Sequence, residues 1–168
     1  VLWRSSGFRM SDKWAARCGM TPDEFDPIVF ASEWGMQALR GEITSAEKWR
    51  NIAARLGLTE AEGAEMAEDG WIGRWDTELF DYIRAELKPH YKLGIISDAS
   101  LGTREKVKDW VNEALFEVIV ISAEHGTTKP DPLLSNVALD QLGIDASAAI
   151  FIDDRPRNIT GAHNVGMK

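Results

Sequence analysis

Tyr91-Lys92-Leu93-Gly94-Ile95-Ile96-Ser97-Asp98 is a largely apolar run of strand length that stops at a hydroxyl and a carboxylate. A run of roughly four to eight such residues reads as a strand buried on both faces. The pattern then repeats. Thr103 to Leu115 sets Val107, Trp110, Val111 and Leu115 at helical spacing, and Val118 to Ile121 is a second apolar run. Pro132 to Leu142 is a helix closed by Gly143, Ala148 to Ile152 is a third run, and Pro156 to Val165 is a helix with proline in its first turn. This β-α-β-α-β-α alternation predicts a parallel sheet covered by helices on both faces.

Upstream, from Thr21 to about Leu87, the signals are helical. Thr21-Pro22-Asp23-Glu24 supplies a cap, a proline at the first helical position and first-turn acids, and Gly41 marks the stop. Thr44-Ser45-Ala46-Glu47 opens a second helix, with Trp49, Ile52, Ala53 and Leu56 on one face. Thr59 to Asp69 is a third candidate. A fourth starts at Asp76, sets Leu79, Phe80, Ile83 and Leu87 inward and ends before Pro89. The expected fold class is α/β: a Rossmann-like core of residues 1–14 and 77–168, with an α-helical insertion over 15–76.

In open α/β sheets ligands bind beyond the carboxyl ends of the parallel strands. Ser97-Asp98-Ala99-Ser100 follow the first run, Ser122-Ala123-Glu124 and then Lys129-Pro130-Asp131-Pro132 the second, and Asp153-Asp154-Arg155-Pro156 the third. A hydroxyl, an ammonium and two carboxylates thus share one rim. Hydroxyl donors and a cation suit a phosphate, and magnesium takes one or two carboxylates with waters and substrate phosphate. Two carboxylates ~4 Å apart repel by about 4 kcal/mol at an effective dielectric of ~20, and a divalent cation reverses that sign. Each group also has a plainer use. Ser97, Asp98 and Ser100 are good helix caps, Lys129 a loop cation, and Asp153-Asp154 a complement to a helix dipole.

Composition excludes some partners. Of 168 residues, 19 are Lys or Arg and 27 are Asp or Glu, a formal net charge of -8 that opposes general nucleic-acid binding. Cys18 is the single cysteine, which points to a reducing, cytoplasmic setting without disulfides. No apolar run approaches the ~20 residues of a membrane helix, so no membrane partner is expected. The sequence is compatible with a homodimer but fixes no oligomeric state.

Ile95-Ile96-Ser97-Asp98, Lys129-Pro130-Asp131-Pro132 and Phe151-Ile152-Asp153-Asp154 together resemble the second, third and fourth motifs of the haloacid dehalogenase-like hydrolases. The approach Ile121-Ser122-Ala123-Glu124 and the run Asp153 to Asn158 are similar to the subgroup with a helical cap between the first and second motifs, of the epoxide-hydrolase N-domain and phosphatase type. The resemblance implies a magnesium-dependent phosphate monoester hydrolase that works through an aspartyl-phosphate on a small phosphorylated substrate. Ser97 and Lys129 would be catalytic, Ser97, Asp98 and Lys129 would bind substrate, and Asp154 with Asp153 would bind Mg2+. Asp98 stands where many relatives have Asn. The family's first motif, Asp-x-(Asp or Gly)-Gly-(Thr or Val)-Leu, is missing: Val1-Leu2 matches only its last two positions. The nucleophile is therefore expected upstream of Val1, the core is expected to lack its first, central strand and its last strand, and the chain as given is expected to be inactive. A 2-haloacid dehalogenase, which needs no metal, and a non-catalytic module of the same fold are the alternatives.

Overall fold

The computed structural model describes residues 2–5, 10–112 and 114–168. Strand β1 (Trp3–Ser5) leads to helices α1 (Met10–Arg17), α2 (Pro22–Phe30), α3 (Glu33–Leu39), α4 (Ser45–Arg55) and α5 (Glu60–Asp69). Three of these helices start with the same device. Thr21, Thr44 and Thr59 each accept a hydrogen bond from the backbone N–H of Glu24, Glu47 or Glu62, whose carboxylate takes the threonine N–H in return at 2.8 Å. The single helix expected from Thr21 to Gly41 is instead two. Pro27 removes one backbone donor from α2, and the Ser32 hydroxyl takes the N–H of Gly35 at 3.1 Å and starts α3 afresh. Met10, Trp14, Phe25, Val29, Ile52 and Met66 form the shared core of this helical part.

Strand β2 (Gly73–Trp75) returns antiparallel to β1, with Trp3 opposite Trp75, so the chain enters and leaves the helical part side by side. Helix α6 (Thr77–Tyr82) runs into a wider turn at Ile83–Leu87. Phe80, Ile83, Val111, Leu115 and Phe116 make a second core cluster, roofed by Trp110 stacked on Trp75 at 5.7 Å. Trp110 was expected inward on a helix to Leu115, but α7 spans only Thr103–Val107 and Trp110 is 41% exposed.

Strands β3 (Gly94–Ser97) and β4 (Val118–Ile121) pair in parallel, Gly94 opposite Val118 and Ser97 opposite Ile121. Helix α8 (Pro132–Leu142) covers them through Leu134 and Ala138 and ends at Gly143 in the left-handed region, as the sequence led us to expect. Ala148 to Ile152 differs from expectation. It is extended at Ala149, but beyond the local turn bonds of Ala148 and Ala149 its backbone pairing among the described residues is with Lys168: Phe151 donates to the Lys168 carbonyl at 2.9 Å, and Lys168 donates to that of Ala149 at 3.0 Å. A strand exists through its neighbours, and among the described residues no strand lies on the edge of β3 away from β4. Helix α9 (Pro156–Asn164) follows. The architecture is thus mixed α/β, a small parallel sheet with a large helical insertion. Among the described residues no helix is long and apolar enough to cross a membrane.

Candidate active site

Three separate chain segments meet beyond the sheet. Asp98, just after β3, accepts the backbone N–H of Lys129 on Oδ1 at 2.8 Å. Lys129, in the connection from β4 to α8, donates through Nζ to Asp153 Oδ2 at 2.7 Å. The other oxygen of Asp153 accepts from the Arg155 backbone and from Asn158 Nδ2, both at 2.9 Å. Lys129 and Asp153 side chains keep only 16% and 6% of their exposure, so the pair is largely withdrawn from water. Burial pushes the Asp153 carboxyl up, but the hydrogen bonds from Lys129, the Arg155 N–H and Asn158 outweigh it and hold it below its ordinary value.

Helix packing sets where this lysine can stand. A Cβ on Gly161 of α9 would lie 2.6 Å from Pro130 Cβ and 2.7 Å from its carbonyl oxygen, so only glycine lets α9 close on the Lys129–Pro130 turn. Asp131 caps α8 by accepting from Leu133 N–H at 2.8 Å. These contacts fix the turn from both sides.

The plainer uses of the polar residues are mostly not taken up. Gly102 precedes α7 with no side-chain cap, so neither Asp98 nor Ser100 caps that helix. Ser97 is half-buried at the end of β3, and its hydroxyl has no hydrogen-bond partner among the described residues. Asp154 is exposed, and its carboxylate likewise has none. The structure therefore joins Asp98, Lys129 and Asp153, with Asp154 next in the chain, and leaves one hydroxyl and one carboxylate uncommitted. Among the described residues no three His, Cys, Asp or Glu side chains cluster as a metal site. His125 lies elsewhere, with Arg104, Glu117 and Glu124 around a shallow cavity of about 280 Å³.

Sequence reading missed two participants. Asn158, 4% exposed, braces Asp153, and the fully buried Ser122 ties the loop after β3 to the helical part. Both lie inside motif-like runs, but nothing in spacing alone separates them from ordinary core residues.

Comparison with known proteins bears on the family and the fold. Residues 78–168 match the family model of haloacid dehalogenase-like hydrolases. The chain is 39% identical over 80 residues to a glyceraldehyde 3-phosphate phosphatase of Pyrococcus abyssi, a stretch that is 46% of this chain and 34% of that protein, so only about a third of that relative's length is matched. It is 28% identical over 145 residues to a sesquiterpene phosphatase of Aspergillus oryzae, 83% of this chain and 72% of that one. A HAD family enzyme from Bacteroides thetaiotaomicron, solved with magnesium and inorganic phosphate, has the same fold with a TM-score of 0.78 at 19% identity, covering 99% of this chain and 86% of that one. With its motif-bearing half matched by the family model and its fold shared, the chain belongs to the haloacid dehalogenase-like hydrolases.

Proposed function

We propose that the protein is a magnesium-dependent hydrolase of small phosphate monoesters. The observation that carries this is the division of labour at the rim: Asp98, Lys129 and Asp153 are locked together, while Ser97 and Asp154 keep free oxygens. Phosphatase relatives and a magnesium-and-phosphate complex of the same fold support it.

In this reading the nucleophile is an aspartate of the family's first motif, which the sequence does not contain. Its carboxylate oxygen attacks phosphorus, the bond from phosphorus to the substrate oxygen breaks, and the leaving alkoxide takes a proton from solvent water to depart as the alcohol. Water then attacks the aspartyl-phosphate and releases inorganic phosphate. Ser97 donates its hydroxyl proton to a phosphoryl oxygen, and Lys129 sets a fixed positive charge beside the same group. Asp98 holds the lysine's backbone rather than the substrate, a task that Asn would perform equally well with its amide oxygen. Asp154 fits a hard cation, since magnesium needs only one or two protein carboxylates. Asp153 has both oxygens engaged and fits better as the residue that orients Lys129. Bound magnesium would supply charge neutralisation at the phosphoryl oxygens. The helical part, 15–76 in the sequence reading, would act as a cap over the site, and we extend it to include α1, because Met10 and Trp14 share its core.

The test is turnover of p-nitrophenyl phosphate by a protein that carries the first motif upstream of Val1. We expect magnesium-dependent activity that falls at least a hundredfold in Lys129→Ala and in Asp154→Asn. The 168-residue chain alone is expected to be close to inactive, since loss of a nucleophile costs on the order of 10⁶ in rate. Phosphatase activity in the short chain, or none in the extended protein with magnesium, overturns the proposal.

A further inference from the structure

A buried hydroxyl links the helical part to the loop that carries Ser97 and Asp98. Ser122 has no exposed surface. Its Oγ lies 2.7 Å from the Leu39 carbonyl at the end of α3, and it accepts the N–H of Ala99 at 3.0 Å. The same oxygen is 3.1 Å from the Ala99 carbonyl, which also accepts from Ala123 N–H at 3.3 Å. A hydroxyl carries one proton. The shorter distance assigns that proton to the Leu39 carbonyl, with the Ala99 carbonyl as the next acceptor in reach.

The other side of the seam is just as close. Gly41 has a φ of +71°, and a Cβ there would lie 2.2 Å from the Ala123 carbonyl oxygen. Two independent constraints, conformation and space, therefore demand glycine. On the far flank Lys106 of α7 reaches Glu68 at 3.7 Å and sits 4.9 Å over the Trp71 ring, both at the end of the helical part. From the seam a continuous set of bonds leads inward. Ser122 holds Ala99, the adjacent Asp98 holds the Lys129 backbone, and Lys129 holds Asp153.

We infer that Ser122 is a positioning residue: docking of α3 through Ser122 and Gly41 sets the geometry of the Ser97–Ala99 loop and, through Asp98, of Lys129. Its importance for turnover rests on the phosphatase reading, but the coupling itself does not. Coupling between two sites is reciprocal. A change at either side must be felt at the other.

Hydrogen exchange of the full chain reads this without substrate. In Gly41→Ala, which leaves the Ser122 hydroxyl in place, the Ala99 amide should lose at least tenfold in protection while the amides of β4 keep theirs. In Ser122→Ala, the amides of Arg40 and Gly41, bonded to Met36 and Ala38, should exchange at least severalfold faster. Should Gly41→Ala unfold the helical part altogether, exposing the amides of Ile52 and Met66, the Ser122→Ala result decides alone. Ala99 protection unchanged in a folded Gly41→Ala, or faster exchange confined to Ala99 in Ser122→Ala, overturns the inference and leaves Ser122 a local brace. In the turnover-competent protein Ser122→Ala should lower kcat at least tenfold with a smaller change in KM. Absence of any turnover in that protein would count against the phosphatase reading and leave the exchange result standing.

Discussion

Lys129 holds its ammonium against a carboxylate nearly sealed from water, and an ion pair in that position is costly to break from one side only. Removing one partner of a buried pair strands the other charge and typically costs about 3–5 kcal/mol. The partial exposure of Lys129 and the extra donors on Asp153 place this pair at the low end. Lys129→Met and Asp153→Asn are therefore each expected to destabilise by about 3 kcal/mol, with the double variant losing at least ~1 kcal/mol less than the sum. Urea unfolding near neutral pH measures all three, and losses that simply add would refute the direct pairing. Much of this set was legible before the fold was known, because Ser97, Lys129 and Asp153-Asp154 follow apolar runs and chemistry gathers at strand ends. The grip of Asp98 on the Lys129 backbone was not legible. It joins residues 31 apart through one side-chain oxygen, and no spacing rule encodes such a bond.

At the scale of elements, local signals and tertiary pairing divide the outcome between them. The three threonine–glutamate capping boxes are complete within four residues each, and their threonines stand at the three helix starts read from the chain. Helix α8 was equally plain, with Pro132 inside its start and Gly143 just past its end. The run Ala148 to Ile152 has the composition of a strand, but pairing is non-local and composition cannot supply a neighbour. The capping boxes also give the helical part a pH dependence. The carboxyls of Glu24, Glu47 and Glu62 are held below their ordinary value, first by the backbone N–H of Thr21, Thr44 and Thr59 and then by the threonine hydroxyls. A group depressed in the folded state stabilises it above the unfolded value, about 4.3 for Glu, and that contribution is lost as pH falls through the lowered one. Helicity and melting temperature should therefore fall as the pH drops below about 4. Glutamine keeps an acceptor oxygen for the threonine N–H and has no proton to gain. The triple Glu24→Gln, Glu47→Gln, Glu62→Gln variant should start less stable at neutral pH and lose less on acidification. Circular dichroism melts at neutral and acid pH compare the two. Equal losses in both proteins would assign the acid sensitivity to other carboxylates.

Across the whole molecule, the helical part and the sheet part each have a core, while the sheet part leaves apolar side chains uncovered and, among the described residues, one strand edge unpaired. Phe25, Ile52 and Met66 are sealed in one core and Val120 and Leu134 in the other, yet Ile150 and Ile152 remain 72% and 74% exposed. The two isoleucines are two positions apart, so in an extended segment they point the same way. Side chains of that kind normally lie inside a parallel sheet. Here they sit on a segment that pairs with Lys168 and with no strand among the described residues, while β3 is hydrogen-bonded on one side alone among those residues. Free strand edges and exposed apolar side chains each recruit other chains. The 168-residue chain is thus expected to associate as its concentration rises and to bind an apolar fluorescent dye while still folded. The double variant Ile150→Thr, Ile152→Thr should bind less dye and sediment nearer the monomer, with little change in melting temperature because neither side chain is buried. Supplying a strand along the free edge of β3 should suppress association without any substitution, and should raise stability by pairing that edge. Identical dye binding and sedimentation in the chain and its double-threonine variant would show that this surface is inert, and that another surface governs how the molecule meets its neighbours.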